Sequence, residues 1–462
     1  MATTEVFQCH GFYCHDSKYH SLLFSCLCAR PDKTPHIFPT LDPLLSVVIE
    51  LPIPIRQNDR QVRLQGRGRW PPRIVLIPKA HKDLSDFESY RPICLVAIWG
   101  KILDKLITHR LVNHLETNNL LNERQYGFRE NLGTITALKA VNNFILTAKN
   151  EKQVTCMISL DIKNAFNSIK WADLINLLKK YSTPSKLLKV FNSFLKDRTV
   201  ILNNGDRWSY NIGDPQESSC GPILWLLVAN EALELFSEQE NLLVQAFADD
   251  FIILLKASAS YRFTELSKEI MLKFESWATK FNLVFSENKS RYIMFKVNKT
   301  VTHFPGIYLF GKRISYANEL KYLGIVFDPN HSFMFHHDRI QEKIVRLNEK
   351  LRRITRATWG VRPEMVKEIY LTILERIILY GVEIWYLDRV KMNTKLLQIQ
   401  RYPLLSITKA YRTTSNEALQ ILSGCIPIDL KAQMIVETDF KIRGVESNDN
   451  THLIDFETEE KN

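Results

Sequence analysis

The chain has 462 residues, 45% of them apolar and 24% charged, and a formal net charge of +11. That length and apolar content exclude a disordered tract or a small stapled scaffold and leave room for roughly two to four domains. Eight cysteines (Cys9, Cys14, Cys26, Cys28, Cys94, Cys156, Cys220 and Cys425) make no disulfide framework in so long a chain, and no apolar run reaches the roughly 18 residues of a membrane span. An intracellular, reducing setting away from a membrane is expected. The charge is uneven: residues 331 to 412 hold 16 Lys and Arg against 8 Asp and Glu, whereas residues 433 to 462 hold 3 against 8. A basic block within a folded chain points to a polyanionic partner.

Residues 1 to 70 stay unassigned. Cys9, His10, Cys14, His15, His20, Cys26 and Cys28 lack the Cys-x2-Cys pairs of common zinc sites. From Ile74 to Pro78 the apolar run predicts a short buried strand, with a basic, polar loop after it as far as Ile93. Ile102, Leu103, Leu106, Ile107 and Leu111 recur at helical spacing, and a second helix is expected over Leu132 to Ala148. Val154 to Leu160 reads as a buried strand ending on Asp161, and Trp171 to Tyr181 as an amphipathic helix closed by Pro184. Thr199 to Leu202 and Trp208 to Ile212 flank a turn, and Gly221 to Leu235 forms a strongly apolar helix. Two apolar runs, Leu242 to Val244 and Phe251 to Leu255, enclose Ala246-Phe247-Ala248-Asp249-Asp250 and predict a hairpin with both acids at its tip. The tip lacks the Gly or Asn that tight turns favour.

Beyond Asn330 the chain turns helical. Ile340, Ile344, Leu347, Leu351 and Ile354 form an apolar stripe, and one position earlier run Arg339, Lys343, Arg346, Lys350 and Arg353. One helix can therefore bury its stripe and hold a row of cations along a phosphate backbone. Ile369, Ile373 and Ile377 predict the core face of a further helix over Met365 to Leu379. Strands and helices interleave irregularly, so the fold class expected is α+β.

Carboxylates are costly to bury unpaired. Asp161, Asp249 and Asp250 at the ends of apolar strands suit a hard divalent cation, above all magnesium. If folding gathers them, two such ions can support an in-line phosphoryl transfer. Phe166, five positions after Asp161, reads by itself as a core residue. A turn after the strand can also set its ring beside the sugar of a nucleotide whose phosphates meet the metal, where it would clash with a 2′-hydroxyl. The polar loop from Gly213 to Pro222 opens an apolar helix, where free backbone N–H groups meet phosphates.

In order and wording these pieces resemble the reverse transcriptase of non-LTR (LINE-like) retrotransposons, most closely the jockey-like arthropod type, from about Arg73 to about Leu430. The resemblance is carried by Arg73 to Lys79, Tyr90-Arg91-Pro92-Ile93, Gln125-Tyr126-Gly127-Phe128-Arg129, Asp161 through Phe166, Pro215-Gln216 with Gly221-Pro222, and Phe247-Ala248-Asp249-Asp250. It continues through Asn288-Lys289-Ser290, Leu320-Lys321-Tyr322-Leu323-Gly324, Tyr380-Gly381 with Trp385, Gln400-Arg401, and Tyr411 to Ser415. It implies a right-hand polymerase: fingers over 71 to 150, a palm with an antiparallel sheet over 151 to 330, and a helical thumb and following helical region over 331 to 430, before an acidic tail from 431 to 462.

The activity so implied is RNA-directed DNA synthesis: a DNA primer on an RNA template, extended with deoxynucleoside triphosphates by two magnesium ions. Asp161, Asp249 and Asp250 would be the metal carboxylates. Phe166, Gln216, Arg91, Lys79 and Lys289 would meet the nucleotide. Tyr322 and Gly324, with Arg339, Lys343, Arg346, Lys350 and Arg353, would meet primer and template. Glu217 stands where the family usually has Gly and puts a negative side chain in the nucleotide loop. Two rivals follow: a catalytically silent, decayed fragment that still binds nucleic acid, and a group II intron-type maturase, which the wording after Tyr380 disfavours.

Overall fold

The computed structural model describes residues 73 to 442, apart from 79–82, 84, 86–88, 197, 202–204, 206, 214–217, 237–238, 259, 287, 296–305 and 356–359. The expectations for residues 1 to 70, Lys79, Gln216 and Glu217 lie outside the described residues, and of Arg91 only the backbone is described.

Strand β1 (Arg73–Pro78) pairs antiparallel with β2 (Tyr90–Leu95), and α1 (Ile98–Thr117) and α2 (Thr134–Asn150) follow. The expected burial of β1 is corrected by the structure: Leu76 and Ile77, which as neighbours in a strand point to opposite faces, are 46% and 45% exposed, so neither face is fully covered there. Its partner β2 forms where the sequence predicts a polar loop, because Arg91 and Pro92 interrupt the apolar run. Next come β3 (Val154–Leu160), β4 (Ile162–Lys163), α3 (Ala165–Ser168), α4 (Trp171–Lys180), α5 (Ser185–Leu195), β5 (Thr199–Ile201) and β6 (Arg207–Ser209). Strands β5 and β6 return to the first sheet, whose order is β2-β1-β5-β6.

Helix α6 (Cys220–Leu233) leads to β7 (Leu242–Phe247), β8 (Asp250–Ala257), α7 (Ser260–Lys280), β9 (Val284–Phe285) and β10 (Arg291–Phe295). Short strands β11 (Tyr308–Leu309), β12 (Lys312–Arg313), β13 (Ser315–Tyr316), β14 (Leu320–Tyr322) and β15 (Ile325–Phe327) complete the β structure. The central sheet runs β13-β10-β3-β8-β7, with β3 antiparallel to both β8 and β10. Side chains alternate between faces along a strand, and here both faces are covered. Cys156, Ile158, Phe251 and Ile253 pack with α6 and α7, while Met157, Ile252, Leu254 and Ile293 pack with α2 and the C-terminal helices. Two-sided burial is why these strands read as mostly apolar runs rather than as alternating ones.

Helix α6 is apolar on every side, and of its fourteen residues only Pro222 is not buried. A helix of that kind belongs inside a core. Its two polar residues are satisfied: Asn230 accepts from the Asn122 amide at 2.6 Å and donates to the Tyr181 hydroxyl at 2.8 Å. Glu231 meets Lys180 and Lys280.

The C-terminal part is helical: α8 (Met334–Ile354), α9 (Pro363–Ile369), a π turn (Tyr370–Leu374), α10 (Glu375–Ile378), α11 (Val382–Trp385), α12 (Val390–Thr408), α13 (Asn416–Ser423) and α14 (Ile428–Ile442). The expected core face at Ile369, Ile373 and Ile377 is corrected, because Ile373 is 51% exposed and the buried row is Val366, Tyr370, Leu374 and Ile378. A repeat of four drifts around an α-helix of 3.6 residues per turn, and the wider π turn takes up that drift. Residues 431 to 442, expected in an acidic tail, belong to α14, where Asp439 receives Lys139 of α2 at 2.6 Å.

Candidate functional site

Register brings the acids together. In the β3–β8 pair Leu160 faces Phe251, and in the β7–β8 hairpin Phe247 faces Asp250. Asp161 therefore leaves β3 beside the start of β8, about one strand spacing of 4.8 Å from Asp250. The hairpin differs in detail from expectation. Its two-residue turn is Ala248-Asp249, and Asp250 already belongs to β8. Ala248 takes φ 58° in place of the usual glycine, a conformation that costs a non-glycine residue on the order of 1 kcal/mol.

Electrostatics reflect the crowding. Asp249 is raised above the usual carboxylate range by burial and by Asp161, against the pull of its own backbone N–H and of Lys289. Burial, Asp249 and Asp161 push Asp250 up to about 6, with Lys289 opposing. Because the Asp250 side chain still meets solvent, repulsion among like charges is the cause a bound cation would relieve. Lys289 Nζ lies 3.2 Å from Asp161 Oδ2, off the angle of a hydrogen bond, so that buried oxygen has no donor. Asp161 itself is held by its backbone: its N–H donates to Ser290 Oγ at 3.2 Å, and its carbonyl accepts from the Ser286 amide at 2.7 Å.

Among the described residues no three His, Cys, Asp or Glu side chains converge tightly enough to hold a metal as they stand. The donor set nevertheless fits a hard dication. It offers carboxylate oxygens alone, one of them buried without a donor, in a cluster whose mutual repulsion is offset only by the exposed Lys289.

Phe166, on α3, rests its half-buried ring on Trp225 with centroids 5.6 Å apart. The Leu323-Gly324 turn joins β14 to β15 with φ 44° and 88°, the pattern of a tight hairpin. Tyr380 covers that turn and donates its hydroxyl to the Leu323 carbonyl at 2.9 Å. A Cβ on Gly324 would lie 2.8 Å from the Tyr380 ring. Tyr322 is not presented to a primer: it is 3% exposed, and its hydroxyl accepts from Gln245 Nε2 at 3.0 Å within the core. It supports the turn from beneath. On α8 the cations of Arg339, Lys343, Arg346, Lys350 and Arg353 are exposed as expected. Arg339 is tied to Glu319 at 2.8 Å, which leaves the other four without an acidic partner among the described residues.

Sequence reasoning missed Asp104 on α1. It is buried, and its carboxylate accepts from Ser218 Oγ at 3.0 Å and from the Ser219 and Cys220 amides at 2.6 and 3.2 Å. It thereby serves the otherwise unpaired donors at the start of α6. The signal was an acid at helical spacing with buried Ile107, Leu111 and Leu115. At the near side of the same loop, Gly213 accepts from Trp171 Nε1 at 2.8 Å and donates to the Ile169 carbonyl at 2.8 Å. Asp104→Ala would strand three donors and should lower unfolding stability by about 3 kcal/mol, read from urea denaturation.

Two antiparallel strand ends that gather acids over a sheet backed by helices, with a helical lobe beyond, are the palm of a right-hand polymerase in an α+β fold. Residues 77 to 327 match the family described as reverse transcriptase (RNA-dependent DNA polymerase). The chain belongs to that family, among the RNA-directed DNA polymerases of non-LTR retrotransposons. It is 29% identical over 364 residues to the retrovirus-related Pol polyprotein of the type-1 retrotransposable element R1 of Bradysia coprophila, covering 78% of this chain and 36% of that one. It is 29% identical to the RNA-directed DNA polymerase of mobile element jockey of Drosophila melanogaster, over 73% of this chain and 37% of that one. The chain thus spans about a third of the length of these relatives. Among solved structures, telomerase from Candida albicans aligns over 80% of this chain and 64% of that one, at 12% identity and a TM-score of 0.41, too loose a likeness to carry an argument.

Proposed function

We propose that this chain extends a DNA primer on an RNA template with deoxynucleoside triphosphates, and that the site does so with two magnesium ions on Asp161, Asp249 and Asp250. The observation that carries the reading is the meeting of Asp161 with the Ala248-Asp249 turn and Asp250 at adjoining strand ends. When bound, the ions would lower the pKa of the primer hydroxyl and neutralise the departing pyrophosphate. The chain's own residues supply the rest. The Phe166 ring, backed by Trp225, excludes a 2′-hydroxyl. Lys289 moves from Asp161 to the nucleotide phosphates, with Arg91, Lys79 and Gln216 assigned to the same nucleotide by family resemblance. The Leu323-Gly324 turn, propped by Tyr322 and Tyr380, aligns the primer end. Lys343, Arg346, Lys350 and Arg353 follow a phosphate backbone, with Arg339 held in reserve by Glu319.

Primer extension on poly(rA)/oligo(dT) with dTTP and Mg2+ tests the reading, with Asp249→Ala beside the wild type. Extension by the wild type alone supports it. No extension by either, with template retained on a filter, supports instead the silent fragment that Glu217 suggests.

A further inference from the structure

The catalytic turn and the sugar-facing ring lie on separate elements, yet one side chain touches both. Trp225, on α6, is fully buried. The Phe166 ring packs on its indole, with centroids 5.6 Å apart and planes at 46°. Its Nε1–H donates to the Ala248 carbonyl at 2.9 Å. That carbonyl belongs to a residue held at φ 58°. A peptide group is planar, so fixing the Ala248 oxygen also fixes the direction of the Asp249 N–H. That nitrogen is joined to the Asp249 Cα, so the orientation of this peptide sets the direction in which the Asp249 side chain leaves the turn. A line of restraint therefore runs from the indole N–H, through one rigid peptide, to the acid that closes the metal cluster.

We propose that Trp225 is the positioning residue that joins the two halves of the site, its ring backing Phe166 and its N–H aiming the Asp249 carboxylate. The inference rests on the polymerase reading and deepens it. A phenylalanine at this position would keep an aromatic ring against Phe166 and lose the N–H, at the cost of a small cavity that the melting temperature registers separately. The two functions are thus separable by substitution. A tryptophan that merely filled the core would show no such separation.

The test counts free Mn2+ by electron paramagnetic resonance as the ion is titrated into wild type, Trp225→Phe and Asp249→Ala, below the melting temperature of each. This readout does not depend on turnover. Trp225→Phe should raise half-saturating Mn2+ about tenfold, the size of effect expected when a buried carbonyl loses its donor. In primer extension on poly(rC)/oligo(dG), kcat should fall by a similar factor while KM for dGTP stays within about twofold. The choice of dGTP over GTP should be unchanged in Trp225→Phe and relaxed in Trp225→Leu, which removes the backing of Phe166. Mn2+ binding by Trp225→Phe at the wild-type level would overturn the inference, whatever the melting temperature does. If Asp249→Ala also binds Mn2+ like the wild type, the reading of the acids as a metal site falls with it, and the two failures are told apart.

Discussion

Gly127→Ala is expected to cost primer extension about 10²-fold or more, the penalty of a roughly 1 Å misplacement at a reacting centre. The residues before Gly127 are bound to β7: the Tyr126 amide donates to the Ala246 carbonyl at 2.9 Å, and the Ala246 amide to the Arg124 carbonyl at 3.0 Å. Gly127 thereby lies under the Ala248-Asp249 turn. A Cβ there would strike the Ala248 amide nitrogen and come within 3.0 Å of the Phe247 carbonyl carbon and 3.1 Å of the Ala248 Cα. All three obstacles are backbone, so no rotamer relieves the clash and the turn must shift. Overpacking of this kind also destabilises by about 1–3 kcal/mol. Gly133→Ala is the control, since its added Cβ meets nothing within 4 Å. Extension rates and thermal melts of both variants decide the matter; a Gly127→Ala enzyme as active as Gly133→Ala refutes the close approach.

The second large effect is acid sensitivity at the entry to the helical lobe. His331 lies between Phe327 and Phe333, and His336 and His337 lie against Trp385, His337 edge-on at 4.8 Å. Their buried ring nitrogens, His331 Nε2, His336 Nε2 and both nitrogens of His337, have no hydrogen-bond partner. Burial lowers all three. His331 falls to about 4, with Lys149 adding and Asp328 opposing. His336 falls to about 3, with His337 and Lys321 adding. His337 falls to about 4, with Lys395 adding and Asp338 opposing.

The unfolded chain binds these protons below its ordinary value near 6.5, whereas the folded chain refuses them until about pH 3 to 4. Stability is therefore whole above about pH 6.5, falls as the pH drops through that window, and levels off below it. Each ring contributes on the order of 3 to 5 kcal/mol at most. Urea denaturation at pH 7.5, 5.5 and 4.5 should show the loss, and His337→Leu should flatten the slope by close to one proton. A slope unchanged in that variant would assign the acid loss to carboxylates instead.

Much of the central sheet was legible because its strands are buried on both faces and are mostly apolar, with Thr155, Ser159, Gln245 and Lys256 as scattered exceptions. Asp161, Asp249 and Asp250 stood out against those runs for the same reason. Other parts were hidden by chemistry that needs a partner to be visible. Strand β2 carries Arg91 and Pro92 and looks like loop until β1 lies beside it. The two-acid tip became an Ala-Asp turn because Ala248 accepts a conformation that sequence preference assigns to glycine. Tyr322 shares a motif with an exposed turn, yet its side chain points inward because β14 alternates, and no motif records that. Asp104 serves donors far along the chain, so spacing alone marked it only as an oddity in an apolar stripe.

The sheet that carries the acids has one face closed by α6 and α7, all within the matched segment. The other face belongs to a continuous cluster that reaches Val366, Tyr370, Trp385, Leu396 and Ile428. Translation delivers those residues after the sheet they cover. Until they emerge from the ribosome, Met157, Ile252, Leu254 and Ile293 lack much of the apolar cluster that they join in the folded chain. Closure of that face of the sheet thus depends on helices that lie beyond the matched segment.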